Sequence, residues 1–82
     1  MFIDNLRKYI VDSYLDGQSD MLSNDTQLLA LNIVDSASIF DLVDFIKEQT
    51  GVIVSMMEIN PINFSSINEV NALVCRLQEK GA

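Results

Sequence analysis

The sequence predicts an all-α fold, a small four-helix bundle. Three stretches place apolar residues at three- and four-residue steps, the spacing of one buried face of an α-helix. These main helices are expected at about residues 2–15, 36–50 and 66–79, with a short third helix at about 56–60. With 49% apolar residues and one proline among 82 residues, the composition is that of a folded chain. Because helices with one apolar face must bury it, we expect a single packed domain, residues 1–82.

The first helix is predicted by a recurrent set of apolar residues: Phe2, Ile3, Leu6, Tyr9, Ile10 and Tyr14. Asp16-Gly17 ends the pattern, since both residue types favour turns. A long connection follows over residues 18–32, and its last part contains Leu28, Leu29 and Leu31. Loops of this length usually carry function or fold down on apolar anchors, so we expect the three leucines to pack between the helices.

The second helix has a start signal, a buried stripe and a stop signal. Either Asp35 or Ser36 can act as the N-cap, and Gly51 follows the last expected helical residue. The stripe consists of Ile39, Leu42, Val43 and Ile46. The opposite face is acidic, with Asp41, Asp44 and Glu48.

The last third of the chain predicts a connector and two further helices. Val52-Ile53-Val54 is expected to be an extended connector that fills the core, because one strand without a partner is unstable. Ser55-Met56-Met57-Glu58 has the spacing of a capping box, and Pro61 limits the short helix to one or two turns. A second capping box, from Ser66 to Glu69, opens the last helix. Its buried stripe is expected to be Ile67, Val70, Leu73, Val74 and Leu77.

Charge and residue content exclude several functional classes. A net charge of −7 disfavours nucleic acid and anionic membranes as partners and favours basic protein surfaces. The chain has no histidine and a single cysteine, Cys75, which excludes an intrachain disulfide, a plausible zinc site and a Ser-His or Cys-His nucleophile pair. We therefore expect a protein that is not an enzyme. Charged residues interrupt the apolar residues of the first helix, which excludes a signal peptide and predicts a cytoplasmic protein, with a monomer as the expected state.

Ser36 is the residue whose position suggests chemistry. A helix start carries unpaired N–H groups and a partial positive charge, so it favours a phosphate ester on a hydroxyl by about 0.3–1 kcal/mol when exposed. Asp35 beside it could hold a Mg²⁺ ion that also bridges phosphate oxygens. The simpler interpretation is that Asp-Ser is an ordinary helix cap.

A family resemblance gives Ser36 a specific role. Asp35-Ser36, with Asp41-Leu42-Val43, Glu48 and the segment 50–54 after it, resembles the acyl carrier protein superfamily over nearly the whole chain. In that family a serine that opens the second helix is esterified with 4′-phosphopantetheine, which a separate phosphopantetheinyl transferase takes from coenzyme A. Ser36 is the matching position. The segment 61–67 is similar to that of discrete carriers, many of which are loaded by an adenylating acyl or aminoacyl ligase.

The resemblance implies a helical bundle of acyl-carrier type that holds an acyl or aminoacyl group as a thioester and delivers it to downstream acyl-processing enzymes. Partners would dock on a surface made of Ala37, Phe40, Asp41, Asp44, Glu48, Met56 and Met57. Ala37 stands where the family usually has a large apolar residue. The alternative is a helical interaction module without a prosthetic group, in which Ser36 only caps the helix.

Overall fold

The structure, a computed structural model, describes residues 2–17 and 22–80, apart from the side chain of Lys80. Three α-helices form, α1 (Phe2–Tyr14), α2 (Ser36–Thr50) and α3 (Ile67–Lys80), and each lies within one or two residues of its predicted range. No strand occurs in these two described ranges, so the predicted all-α class is confirmed. Residues 18–21 of the predicted long connection lie outside the described residues.

The predicted four-helix bundle is not supported, because the expected short helix at 56–60 is a 3₁₀ turn of three residues, Met56–Glu58. Ser55 precedes this turn but makes no side-chain cap hydrogen bond, so the expected capping box does not form. Glu58 instead accepts a hydrogen bond from the Asn63 side chain, at 3.3 Å. The turn ends at Ile59, whose backbone is extended with φ −84° and ψ 92°, and Pro61 disfavours helical angles at the residue before it.

The core is formed by the predicted stripes of the three helices. The buried apolar side chains are Leu6, Ile10, Val11, Leu22, Leu28, Val34, Ile39, Leu42, Ile46, Val54, Phe64, Ile67, Val70, Leu73 and Val74. Val43 and Leu77, which were predicted to be buried, are half-buried at the edge of this core. Cys75 is exposed and lies outside it. None of the described helices has the length and apolar content that crossing a membrane requires.

The connection into α2 is anchored by one leucine. Leu28 is fully buried, its backbone N–H donates to the Ser65 carbonyl at 2.8 Å, and its own carbonyl accepts from the N–H groups of Ile33 and Val34. The turn closes around Leu28, which leaves Leu31 exposed, so the expectation that all three leucines pack inside was wrong for Leu31. Leu29 is half-buried against the core.

Val34 completes the positioning of α2. It is fully buried at the residue before the N-cap, and the buried Ile39 lies four residues into the helix. Apolar residues at these two positions form the hydrophobic staple that fixes the direction in which a chain enters a helix. The end of α2 follows the predicted stop signal, since Gly51 is left-handed with φ 76° and donates its N–H to the Lys47 carbonyl at 2.8 Å.

The segment before α3 is also anchored by buried side chains and a helix cap. Phe64 is the largest fully buried side chain of the described residues. Ser66 is also buried, and its Oγ accepts a hydrogen bond from the Glu69 N–H at 3.2 Å, which is the predicted cap of α3. Before this segment, Val52, Ile53 and Val54 are half-buried, exposed and buried in turn. The expectation that this connector fills the core was therefore wrong for Ile53, because side chains of an extended segment alternate between two sides.

Candidate functional site

The N-cap of α2 is Asp35 and not Ser36. Asp35 has an extended backbone, with φ −107° and ψ −178°, and its Oδ1 accepts the Ser38 N–H at 2.8 Å. Both residues are good capping types, and the sequence left the choice open. Because Asp35 satisfies the helix start, Ser36 becomes the first residue inside the helix.

The capping bond also fixes the charge of Asp35. The N–H of Ser38 is the largest cause that lowers the pKa of this carboxyl below its ordinary value of 3.8, and the Ser38 side chain lowers it further. Asp35 is exposed. A negative charge therefore stands directly beside Ser36 at neutral pH.

The Ser36 side chain is exposed, and its hydroxyl makes no hydrogen bond to any other residue that the structure describes. Neither of its immediate neighbours covers it, because Asp35 and Ala37 are exposed as well. The helix start leaves backbone N–H groups nearby without intrahelical partners, and these favour an anion. A hydroxyl in this place can be reached by the active site of another protein.

A row of aromatic rings fixes α1 against α2 behind this site. Tyr9 stacks on Phe45, with ring centroids 4.4 Å apart, and it meets Tyr14 edge to face at 6.3 Å. Partial burial raises the pKa of Tyr14, and hydrogen bonding to the Ser38 side chain opposes this rise. The last turn of α1 therefore lies against the first turn of α2. Phe45 belongs to this interface and is half-buried.

Six of the predicted site residues share one side of α2. At 100° per residue they lie within an arc of about 140°. They are Ser36, Ala37, Phe40, Asp41, Asp44 and Glu48, and all are exposed. Among the described residues, none of the three carboxylates on this side forms an ion pair within the chain. This surface, the α2 face, is thus an acidic surface that no described side chain neutralises through an ion pair.

The two predicted methionines lie on a second exposed surface. Met56 is 74% exposed and Met57 is 90% exposed, both on the 3₁₀ turn. Ile53 and Ile62, which were not predicted as site residues, are similarly exposed on either side of this turn. The available signal was the alternation of Val52, Ile53 and Val54, which places Ile53 opposite its two inward neighbours.

Comparison with known proteins gives an independent finding. No protein-family model matches the chain. The chain is 46% identical over 78 residues to the probable acyl carrier protein PigG of Serratia sp. (strain ATCC 39006), which covers 95% of this chain and 90% of that protein.

Among solved structures, a chain in one described as the crystal structure of an FAD-dependent dehydrogenase matches with a TM-score of 0.76 and 38% identity. The match covers 84% of this chain and 97% of that chain. The identity to PigG extends over nearly the full length of both sequences. The chain therefore belongs to the acyl carrier protein family, whose members carry acyl groups and are not themselves enzymes.

Proposed function

We propose that this protein holds an acyl or aminoacyl group as a thioester on a 4′-phosphopantetheine arm at Ser36 and delivers it between enzymes of a biosynthetic pathway. The observation that carries the proposal is that one residue caps α2 and a different residue presents a free hydroxyl at its start. Asp35 caps the helix, which leaves the exposed Ser36 hydroxyl without a structural task among the described residues. This division argues against the alternative module, in which Ser36 would be the cap.

The residues around Ser36 fit a phosphopantetheine group. An exposed hydroxyl at a helix start suits a phosphodiester, because the helix dipole favours its negative charge. The ionised Asp35 carboxylate beside Ser36 would supply a Mg²⁺ contact during modification. When bound, the group supplies a flexible arm that ends in a thiol.

The attachment step needs an external enzyme. The Ser36 hydroxyl would attack the pyrophosphate of coenzyme A, form a phosphodiester with its phosphopantetheine half and release adenosine 3′,5′-bisphosphate. The hydroxyl proton would leave to a base of the phosphopantetheinyl transferase, since this chain has no histidine and no described side chain accepts a hydrogen bond from the Ser36 hydroxyl. The chain itself supplies only the accessible nucleophile.

The docking surface would combine the α2 face with Met56 and Met57. Three carboxylates that form no ion pair among the described residues complement a basic patch on a partner, which speeds association and makes it sensitive to salt. The exposed Phe40 and the flexible methionines add apolar contact area. Weak and transient docking suits a carrier that must leave each enzyme in turn.

The enzymes that act on the carrier would include an adenylating acyl or aminoacyl ligase, which loads it, and an FAD-dependent dehydrogenase among the downstream acyl-processing enzymes. The dehydrogenase is proposed because one solved structure with a matching chain is described as that of an FAD-dependent dehydrogenase. The chain of that structure that matches is only about 70 residues long, which is the size of one small domain. We propose that this carrier presents its thioester to an enzyme of that kind. It would work as a cytoplasmic monomer and as one carrier domain.

Intact mass spectrometry after incubation with coenzyme A and a broad-range phosphopantetheinyl transferase tests the proposal. We expect one phosphopantetheinyl adduct on the wild-type protein and none on Ser36→Ala. Ser13→Ala is the matched control, because Ser13 is also an exposed helical serine and should leave the adduct in place. A wild-type protein that several transferases leave unmodified would overturn the carrier function and favour the interaction module.

A further inference from the structure

Asn63 is the centre of a hydrogen-bond cluster between the 3₁₀ turn and α3. Its Nδ2 donates to the Glu58 carbonyl at 2.9 Å and to Glu58 Oε2 at 3.3 Å. Its Oδ1 accepts from Arg76 Nη2 at 3.3 Å, and its backbone N–H donates to Asn60 Oδ1 at 2.8 Å. Asn63 is half-buried, so these bonds are partly shielded from water.

The chemistry of the partners requires an amide at this position. A backbone carbonyl can only accept and a guanidinium can only donate, so Asn63 must present Nδ2 to Glu58 and Oδ1 to Arg76. A side chain of the same size without both groups, such as Asp or Leu, cannot make both contacts. One residue thereby links the turn at Met56–Glu58 to α3.

The turn itself has little to hold it together. It contains three residues, its backbone hydrogen bonds run from Glu58 N–H to the Ser55 carbonyl and from Ile59 N–H to the Met56 carbonyl, and Ser55 supplies no side-chain cap. Such a short 3₁₀ segment is not stable by its own hydrogen bonds. The hydrogen bonds from Asn63 to Glu58 therefore help to keep the turn in its observed conformation.

The turn and the residues on either side of it expose large apolar side chains. Four large side chains within ten residues are each more than 70% exposed, and we call them the apolar connector: Ile53, Met56, Met57 and Ile62. Exposed apolar surface of this kind marks an interaction site. No charged residue occurs from Gly51 to Met57, whereas the α2 face carries carboxylates without ion pairs among the described residues.

We infer that Asn63 is a positioning residue, which holds the Met56–Glu58 turn in the shape that docks on a partner enzyme. The inference rests on the proposed function. The partner surface is an uncharged apolar patch beside a basic patch, because those two features complement the apolar connector and the α2 face. Asn63 acts on docking through the methionines and does not itself touch the partner.

A double-mutant cycle with the broad-range phosphopantetheinyl transferase as the docking probe tests this role. We expect Asn63→Ala and Met57→Ala each to raise the KM for the apo-protein on the order of five-fold, the worth of about one hydrogen bond, with kcat unchanged. Because Asn63 acts through Met57, the double variant should show a KM well below the product of the two single effects. Hydrogen exchange of the Glu58 and Ile59 amides should become faster in Asn63→Ala.

Asn5→Ala is the matched control, since it removes a side-chain hydrogen bond of 3.1 Å to Gln49, which joins α1 to α2 and involves neither the turn nor Asn63. It should leave both the KM and the exchange of the turn unchanged. An unchanged KM in Asn63→Ala, multiplicative effects in the cycle or a fall in kcat alone would overturn the positioning role. Absence of any adduct on the wild-type protein would instead remove the proposed function, and the docking role of Asn63 with it.

Discussion

Two serines stand at the starts of two helices in this protein, and they have opposite surroundings. Ser66 is the N-cap of α3, is only 4% exposed and receives the Glu69 N–H on its hydroxyl. Ser36 is one position further inside its helix, is exposed and receives no hydrogen bond within the described residues, because Asp35 does the capping.

The residues that follow the two serines differ in solvent exposure in the same way as the serines themselves. One residue and four residues after Ser66 lie Ile67 and Val70, both fully buried. At the same offsets after Ser36 lie Ala37 and Phe40, both exposed. In this protein, the serine that does not cap its helix is the exposed one, and the residues that follow it face outward.

The largest expected effect is a difference in modification between a variant of Ser36 and a variant of Ser66. Ser66→Ala should still acquire the phosphopantetheinyl adduct, because its hydroxyl serves only the fold, whereas Ser36→Ala should acquire none. Intact mass after treatment with the transferase measures both. Modification of Ser36→Ala would show that the attachment point had been misassigned.

The residues four positions after each serine should respond differently to truncation. Val70→Ala removes part of a fully buried side chain and should lower the free energy of unfolding by about 2 kcal/mol. Phe40→Ala should change that free energy by less than about 0.5 kcal/mol, since Phe40 is half exposed. It should instead raise the KM of the transferase by about ten-fold, as expected for an aromatic docking residue.

A compensating variant sharpens this second comparison. Ala37→Leu places an apolar side chain directly beside Ser36 and, in the Phe40→Ala background, should bring the KM back toward the wild-type value. Urea unfolding and steady-state kinetics on the same samples separate the two effects. A KM that stays high in the double variant would mean that Phe40 makes a contact that no neighbouring apolar group replaces.

The loss of a helix cap should lower the free energy of unfolding by less than the truncation of a buried side chain. Ser66→Ala removes the hydrogen bond from the Glu69 N–H and should lower the free energy of unfolding by about 1 kcal/mol. Ser36→Ala should stay within about 0.5 kcal/mol of the wild type, because its hydroxyl has no partner in the described residues. Equal losses for both variants in urea unfolding would contradict the assignment of Asp35 as the cap of α2.

The smallest effect concerns the pH dependence of the α2 cap. The pKa of Asp35 in the folded state is below its ordinary value of 3.8, so its stabilising contribution is present above that pH and is lost as the pH falls through the lower folded pKa. Asp35→Asn can still cap but cannot ionise. The stability advantage of the wild type over Asp35→Asn should therefore shrink below about pH 3.8 in thermal unfolding. A difference that is independent of pH would exclude this role for the carboxylate.

The helices could be predicted from the sequence because their signals are local. Gly51 is a left-handed residue just after α2, and Ser66 begins α3 with the expected capping bond. The position of Ser36 at the start of α2 follows from the same signals. The choice between Asp35 and Ser36 as the cap could not be made, because both residue types can cap and the outcome depends on the backbone angles.

Other features depended on contacts that helical periodicity and capping patterns do not show. The capping box predicted at Ser55 fails because Glu58 is bonded to Asn63, five residues later. Leu28 and Leu31 are alike in sequence, but only the hydrogen bonds that close the turn around Leu28 decide which of them is buried. The apolar connector was found only in part, since periodicity does not show that Ile53 and Ile62 face outward together with the methionines.

The central claim is that the free hydroxyl of Ser36 is the point of attachment. Fragmentation mass spectrometry of peptides from the transferase-treated wild-type protein tests it most directly. We expect the phosphopantetheinyl group on Ser36 alone, with the neighbouring Ser38 and the capping Ser66 unmodified. An adduct on another residue, or no adduct on any peptide, would contradict this account.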